Sequence, residues 1–166
     1  KTTGSDEVVI GTNNGRMVRF KESEIRSMGR GTSGVKGIDL SDNSEVVSTE
    51  IINPGEEILI VTENGYGKKT TIDEYRLTHR GSKGVKALNI TDKNGSMVTL
   101  KYVDPLIVDK LDIMIVTDSG IIMRMPLNQI ATLKRATQGN RLINLKENQK
   151  VATIAIVDKE EKIETE

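Results

Sequence analysis

The sequence contains no cysteine. That excludes a disulfide framework and any thiolate metal site. Its single histidine, His79, nearly removes a Ser-His-Asp or multi-histidine site from consideration. Aromatic residues make up only 2% of the chain, so the core has to be built from Val, Ile, Leu and Met. No apolar run approaches the ~20 residues that a membrane-spanning helix needs. No stretch keeps a 3.6-residue apolar period, which argues against long helices. No signal-peptide pattern opens the chain. With 36% hydrophobic and 29% charged residues over 166 positions, the expectation is a soluble, cytoplasmic protein with one core or a short row of small sheets.

What the sequence does hold is one unit written three times. Ile58-Leu59-Ile60-Val61 is an apolar run that leads into Asn64-Gly65, a strong hairpin signal. A basic, glycine-rich loop follows, Arg80-Gly81-Ser82-Lys83-Gly84, and then an apolar alternation to Ile90. Val8 to Phe20 and Ile113 to Met125 align with the start of this unit. The hairpin glycines Gly15, Gly65 and Gly120 are spaced by 50 and then 55 residues, as are Arg30, Arg80 and Arg135, and Gly34, Gly84 and Gly139. Short strands repeating every ~50 residues point to a propeller-like array of antiparallel blades, an all-β fold. The expected layout is a linker at 1–5, blades at about 6–52, 56–105 and 111–157, and an acidic tail at 158–166. Within it, Glu45–Ile52 and Met97–Val103 read as equivalent strands. Three blades in a row expose sheet surface at both ends, which favours pairing with another copy or poor solubility.

The motifs ENGYGKKT, EYRLTHRGSKGVKAL and TDKNG, with GRMVRFKESEIRSMGR and GVKGI in the first repeat, make the chain resemble the C-terminal domain of the DNA gyrase A protein. The similarity runs from about Asp6 to Val157. It implies a β-pinwheel, a disc whose blades exchange hairpins and whose rim wraps DNA, and three of the family's roughly six blades. The family's box, Gln-Arg-Arg-Gly-Gly-Lys-Gly, has its nearest match in Thr78-His79-Arg80-Gly81-Ser82-Lys83-Gly84, with four of seven identities. The first and third repeats carry weaker copies, Met28 to Gly34 and Leu133 to Gly139. The resemblance further implies a bacterial, nucleoid-associated location. It implies assembly with the rest of gyrase A and with gyrase B into a type IIA topoisomerase that uses ATP and Mg2+. No cofactor or metal is expected in this chain. The A-type protein of topoisomerase IV and a propeller-type protein-interaction module are the alternatives.

Net charge is zero, yet it is sorted along the repeat. Gly15–Lys36, Gly65–Lys86 and Gly120–Arg141 each carry +4, and the remainder carries −12. In an arc of blades these segments form one positive stripe. Such a stripe suits the regular phosphates of double-stranded DNA, read with little sequence dependence. The candidate phosphate contacts are Arg30, Lys36, Lys68, Lys69, Arg76, Arg80, Lys83, Lys86, Lys134, Arg135 and Arg141. The loop glycines Gly34, Gly81, Gly84 and Gly139 are expected to let the loops turn tightly and approach the DNA backbone.

Enzymatic readings find less support. His79 lies in the basic loop, where a phosphate or water contact is the simpler role. Tyr66, Tyr75 and Tyr102 read as packing residues. Gly65-Tyr66-Gly67-Lys68-Lys69 lacks the spacing of a phosphate-binding loop. Asp39, Asp42, Asp92 and Asp118 fall in turns, where Asp bonds the local backbone.

Overall fold

A computed structural model describes residues 2–41 and 43–159. Asp42, Lys1 of the expected linker and 160–166 of the expected tail lie outside the described residues. Among the described residues there are eleven strands and four single turns of 3-10 helix. No described helix is long and apolar enough to cross a membrane.

Each repeat begins with a hairpin. The pairs are β1 (Glu7–Thr12) with β2 (Arg16–Lys21), β4 (Glu57–Thr62) with β5 (Tyr66–Thr71), and β8 (Leu111–Thr117) with β9 (Ile122–Pro126). In the turns Gly15, Gly65 and Gly120 hold φ of 76°, 77° and 81°. Left-handed backbone of this kind costs a side chain energy and costs glycine none. A longer strand closes each repeat: β3 (Val46–Ile52), β7 (Met97–Val103) and β11 (Val151–Asp158). These strands pair with β1, β4 and β8.

The fourth strand of a sheet comes from the next repeat. β6 (Val85–Lys86) leaves the second repeat and pairs with β2 of the first, in the register Met17↔Val85 and Arg16↔Lys86. β10 (Asn140–Arg141) leaves the third and pairs with β5, in the register Gly67↔Asn140 and Tyr66↔Arg141. The sheet orders are therefore β3-β1-β2-β6, β10-β5-β4-β7 and β11-β8-β9. A blade in space is thus not one repeat in sequence.

The edge opposite the borrowed strand is where blades converge. β3 packs on β7, and β7 on β11. The Ser48 hydroxyl donates to the Leu100 carbonyl at 2.6 Å, and Lys101 pairs with Glu50 at 2.7 Å. This is the hub of the array, and the borrowed strands lie toward the rim.

Two apolar cores lie between the blades. One gathers Val9 and Met17 of the first blade with Ile58, Ile60, Ile72 and Tyr75 of the second, sealed by Ala87 and Leu88 beyond β6. The other gathers Leu59 and Val61 with Ile113, Ile115, Leu127 and Ile143. Each Ile or Leu so buried contributes roughly 1.5–3 kcal/mol. A third, smaller cluster, Val8, Val18, Phe20 and Ile38, covers the outer face of the first blade.

Candidate nucleic-acid interface

The basic loops fold over the junctions because each must reach the preceding blade to donate its strand. Gly84 has φ of +67°, and a Cβ there would lie 2.4 Å from the Met17 carbonyl oxygen. Gly139 has φ of +80° and presses on the Gly67 carbonyl in the same way. At Gly84 and Gly139 the close approach is to the protein's own backbone.

This docking leaves a row of cationic side chains facing outward. Arg30, Lys36, Arg76, Lys83, Lys86, Lys134 and Arg141 are all exposed. Lys36 reaches Asp39 and holds that carboxyl below its ordinary range, with the hydrogen bond as the main cause. Lys86 donates to Asn89 at 3.4 Å. Arg76, His79 and Lys83, with Lys21 and Glu24, line an open cleft of about 690 Å³ at the junction of the first two blades. His79 sits 3.4 Å from Glu24 and is 92% exposed.

Two candidates leave the list. Lys68 is fully buried, and its ammonium donates to the Lys134 and Arg135 carbonyls at 2.9 and 2.6 Å. Lys69 is 6% exposed and pairs with Glu57 at 3.0 Å. Lys69 belongs to a second repeated set. Arg19 pairs with Glu7 at 2.5 Å and Arg124 with Asp112 at 2.8 Å, so every hairpin carries one internal ion pair at the same place. Part of the charge periodicity in the sequence is therefore structural.

Arg80 and Arg135 have a mixed standing. Both are half-buried. Arg80 donates to the Glu24 and Lys36 carbonyls at 3.2 Å each, and Arg135 to the Lys86 carbonyl at 3.0 Å. Each clamps its loop to the loop of the preceding repeat. Arg141 stays at the surface, yet it donates to the Tyr66 hydroxyl at 2.9 and 3.2 Å and lies over the ring. Gly81 has φ of +72° and rests beside the Lys36 carbonyl, while Gly34, with φ of +75°, meets nothing.

Sequence reasoning missed Lys21, Arg26 and Lys93. Lys21 and Arg26 are exposed on the rim side of the first repeat, and Lys93 lies over Tyr66, as Arg141 does. Lys21 and Lys93 have no counterpart at the repeat spacing, so a search for periodic charge passes over them, whereas Arg26 does recur, 50 residues before Arg76, and its spacing could have found it. Of the tyrosines, Tyr66 and Tyr75 are buried as expected, but Tyr102 is 45% exposed and is not a packing residue.

Burial pushes the Lys68 ammonium down to about 8, and the nearby Arg135 adds to this. Below pH 8 the folded state carries the full cost of the buried charge. Between pH 8 and 10.5 the unfolded chain binds more protons, so stability rises with pH there. The span from 10.5 to about 8 corresponds to roughly 3 kcal/mol. Burial raises Tyr75 to about 12, which lowers stability above pH 10. Urea unfolding at pH 7.5 and pH 10 should show the gain in the native chain and lose most of it in Lys68→Met. Equal gains in both chains would reject the assignment.

A family profile described as "DNA gyrase C-terminal domain, beta-propeller" matches residues 6–53, 56–104 and 111–158. The DNA gyrase A protein of Ureaplasma parvum is 43% identical over 156 residues, covering 94% of this chain and 18% of that protein. Its counterpart in Staphylococcus aureus is 43% identical over 166 residues, covering 99% of this chain and 18% of that protein. The chain thus spans less than a fifth of these relatives. Among solved structures, the C-terminal domain of DNA topoisomerase IV superposes with a TM-score of 0.85 at 26% identity, over 95% of this chain and 48% of that one. A DNA gyrase A C-terminal domain gives 0.82 at 23% identity, over 92% and 51%.

Proposed function

The chain belongs to the DNA gyrase C-terminal domain family, and from that premise we propose that its rim binds and bends duplex DNA as the wrapping module of a gyrase A protein. The observation that carries this is the repeated docking of basic loops on the outer edge of successive blades. It lines up exposed Lys and Arg side chains on one side, while the Glu50–Lys101 pair lies at the hub. Phosphates are met by ammonium and guanidinium groups and by the backbone of the glycine-rich turns. None of this reads base edges, so sequence dependence is weak. Bending costs on the order of 1–6 kcal/mol per 20–30 base pairs, which many phosphate contacts offset together.

In the assembled enzyme, formed with the rest of gyrase A and with gyrase B, the wrap would present a DNA segment for strand passage and so set the sign of supercoiling. Such an enzyme works in the bacterial cytoplasm, on the nucleoid. Among the described residues no three His, Cys, Asp or Glu side chains come together. No step of the proposal runs through Mg2+ or ATP, which belong to the holoenzyme. The 43% identity to gyrase A over nearly the whole chain favours that protein over its topoisomerase IV counterpart.

The test is fluorescence anisotropy on a duplex, with rim and hub charges removed separately. Changing Lys83, Lys86 and Lys134 to Ala should weaken binding and lower the slope of log affinity against log salt by about 3, roughly one per phosphate contact. Lys101→Ala, at the hub, should change neither. Equal effects of the two changes would remove the rim from the proposal. Loss of binding in neither would point instead to a protein-interaction surface.

A further inference from the structure

Cations also gather off the rim. Beside the second hairpin turn, where β10 meets the start of β5, a cleft of about 330 Å³ is lined by Lys93, Arg141, Lys146 and several side-chain amides, and by no carboxylate. Both blades that build it are present, because every lining residue belongs to the second or third repeat. Tyr66 organises the cleft. Its buried hydroxyl accepts the Arg141 guanidinium at 2.9 and 3.2 Å, and Asn144 Oδ1 accepts a further bond from Arg141 at 3.3 Å. The Lys93 ammonium lies 5.7 Å from the centre of the same ring. A ring face attracts cations, so one tyrosine keeps two like charges in one place. Neither the Lys93 nor the Lys146 ammonium has a carboxylate partner among the described residues. Glu63, next to the turn, is taken by Lys150 at 2.5 Å. Three cations held together repel one another, and an anion among them relieves that.

This corner does not copy the first junction. There the open cleft lies at the other end of the hairpin, beside Lys21, the last residue of β2, with Arg76 and Lys83. The repeat puts Thr71, Ala131 and Gln138 at those three places in the second junction, and Lys134 at the place of His79. At the turn end the exchange runs the other way. The first-junction equivalents of Lys93 and Lys146 are Asn43 and Thr91. Arg16 stands at the place of Tyr66, but it is tied to the Lys83 and Gly84 carbonyls. Of the turn-end positions, only the one held by Lys86 and Arg141 offers a free-facing cation at both junctions. Positive charge therefore shifts from one end of the strands to the other between the two junctions. Those ends are the two ends of a six-residue strand, ~17 Å apart.

Resting on the reading that the rim binds duplex DNA, we infer that Lys93, Arg141 and Lys146 form a second phosphate-binding site, off the rim, on the face that carries the hairpin turns. Its ligand is a backbone phosphodiester of the same duplex. Arg141 offers a guanidinium already fixed in direction by Tyr66, and the two lysines add mobile point charges. A duplex that crosses the first junction at the Lys21 end reaches the second at the turn end. The track is then inclined to the strands, and the wrap acquires a pitch. Lys93 and Lys146 add two contacts to those of the rim, so they steepen the salt slope that the rim sets by about 2.

Lys93→Asn with Lys146→Thr gives the second junction the side chains of the first. By fluorescence anisotropy on a duplex of about 40 base pairs, this pair should lower the slope of log affinity against log salt by about 2. Lys101→Asn with Lys110→Asn removes the same charge away from both clefts and should leave the slope unchanged. An equal fall in both pairs would make the effect one of net charge and overturn the inference. So would no fall in the first pair. If the Lys83, Lys86 and Lys134 variant loses affinity while the Lys93 and Lys146 pair does not, the rim stands and the second site falls. A native chain with no salt-dependent binding removes both. The inclination has its own readout. The chain has no cysteine, so an iron-chelate cleaver can be carried on a single introduced one. Asn64→Cys and Asn14→Cys mark the same turn position in the second and first hairpins. The cleaver at Asn64→Cys should cut bound duplex strongly. At Asn14→Cys it should cut weakly, although Asn14 is the more exposed of the two. Equal cutting would mean a level track and overturn the inference.

Discussion

Raising the salt from about 50 to about 200 mM should cut the affinity of this chain for duplex DNA by roughly four orders of magnitude. The number follows from the side chains that face outward. Arg26, Arg30, Lys36, Arg76, Lys83, Lys86, Lys134 and Arg141 are exposed on the rim loops. If each meets one phosphate, counterion release gives about −0.9 per contact, a slope near −7, and a fourfold rise in salt then costs about 10⁴ in affinity. The structure lowers this expectation from what the sequence suggests. Lys68 and Lys69 are inside and cannot release counterions. Lys36 has to exchange Asp39 for a phosphate. A measured slope near −2 would mean that the loops touch DNA at only one junction, and the curved track would be rejected. A slope near −7 that persists when the duplex is shortened to a single turn would reject it too, because one turn cannot reach all three blades.

The fold was legible because its signals are local and repeated. Alternating apolar residues, a hairpin glycine and a closing strand recur at 50 and 55 residues, and each appears where the repeat put it. The charges were legible only in part. Arg19, Lys69 and Arg124 recur with the same period as the rim cations, yet they pair inside each hairpin with Glu7, Glu57 and Asp112. A period of 50 does not tell which face of a strand a side chain takes. That depends on register, and one residue separates buried Lys69 from a position on the opposite face. Lys68 was harder still. Its equivalents are Val18 and Met123, so it sits at a core position. Its ammonium is tolerated there because the carbonyls of a loop 66 and 67 residues away cap it. No local pattern reveals a partner at that distance. The glycines show the same limit: their need for left-handed backbone was readable, but the surface they approach was not.

Replacing Gly84 by Val should cost about 3 kcal/mol or more, the upper range for a single substitution. Two effects add. A β-branched residue at φ of +67° is strained by roughly 1–3 kcal/mol. Its Cβ would also stand 2.4 Å from the Met17 carbonyl oxygen and 2.7 Å from the carbonyl carbon, both backbone atoms that cannot rotate aside. The loop would have to lift off β2. That breaks the Met17↔Val85 pairing and the two bonds from Arg16 to the Lys83 and Gly84 carbonyls, at 2.9 and 3.0 Å. It also uncovers Ala87 and Leu88, which seal the first inter-blade core. Gly31→Val is the matched control. Gly31 is exposed, has no positive φ and meets nothing within 4 Å, so its change should stay within about 0.5 kcal/mol. Urea unfolding of the three chains decides the matter. A Gly84→Val chain within about 1 kcal/mol of native would show that the loop is not seated on the first blade. The borrowed strand, the clamp at Arg80 and the alignment of the rim would then all lose their basis, because each depends on that seat.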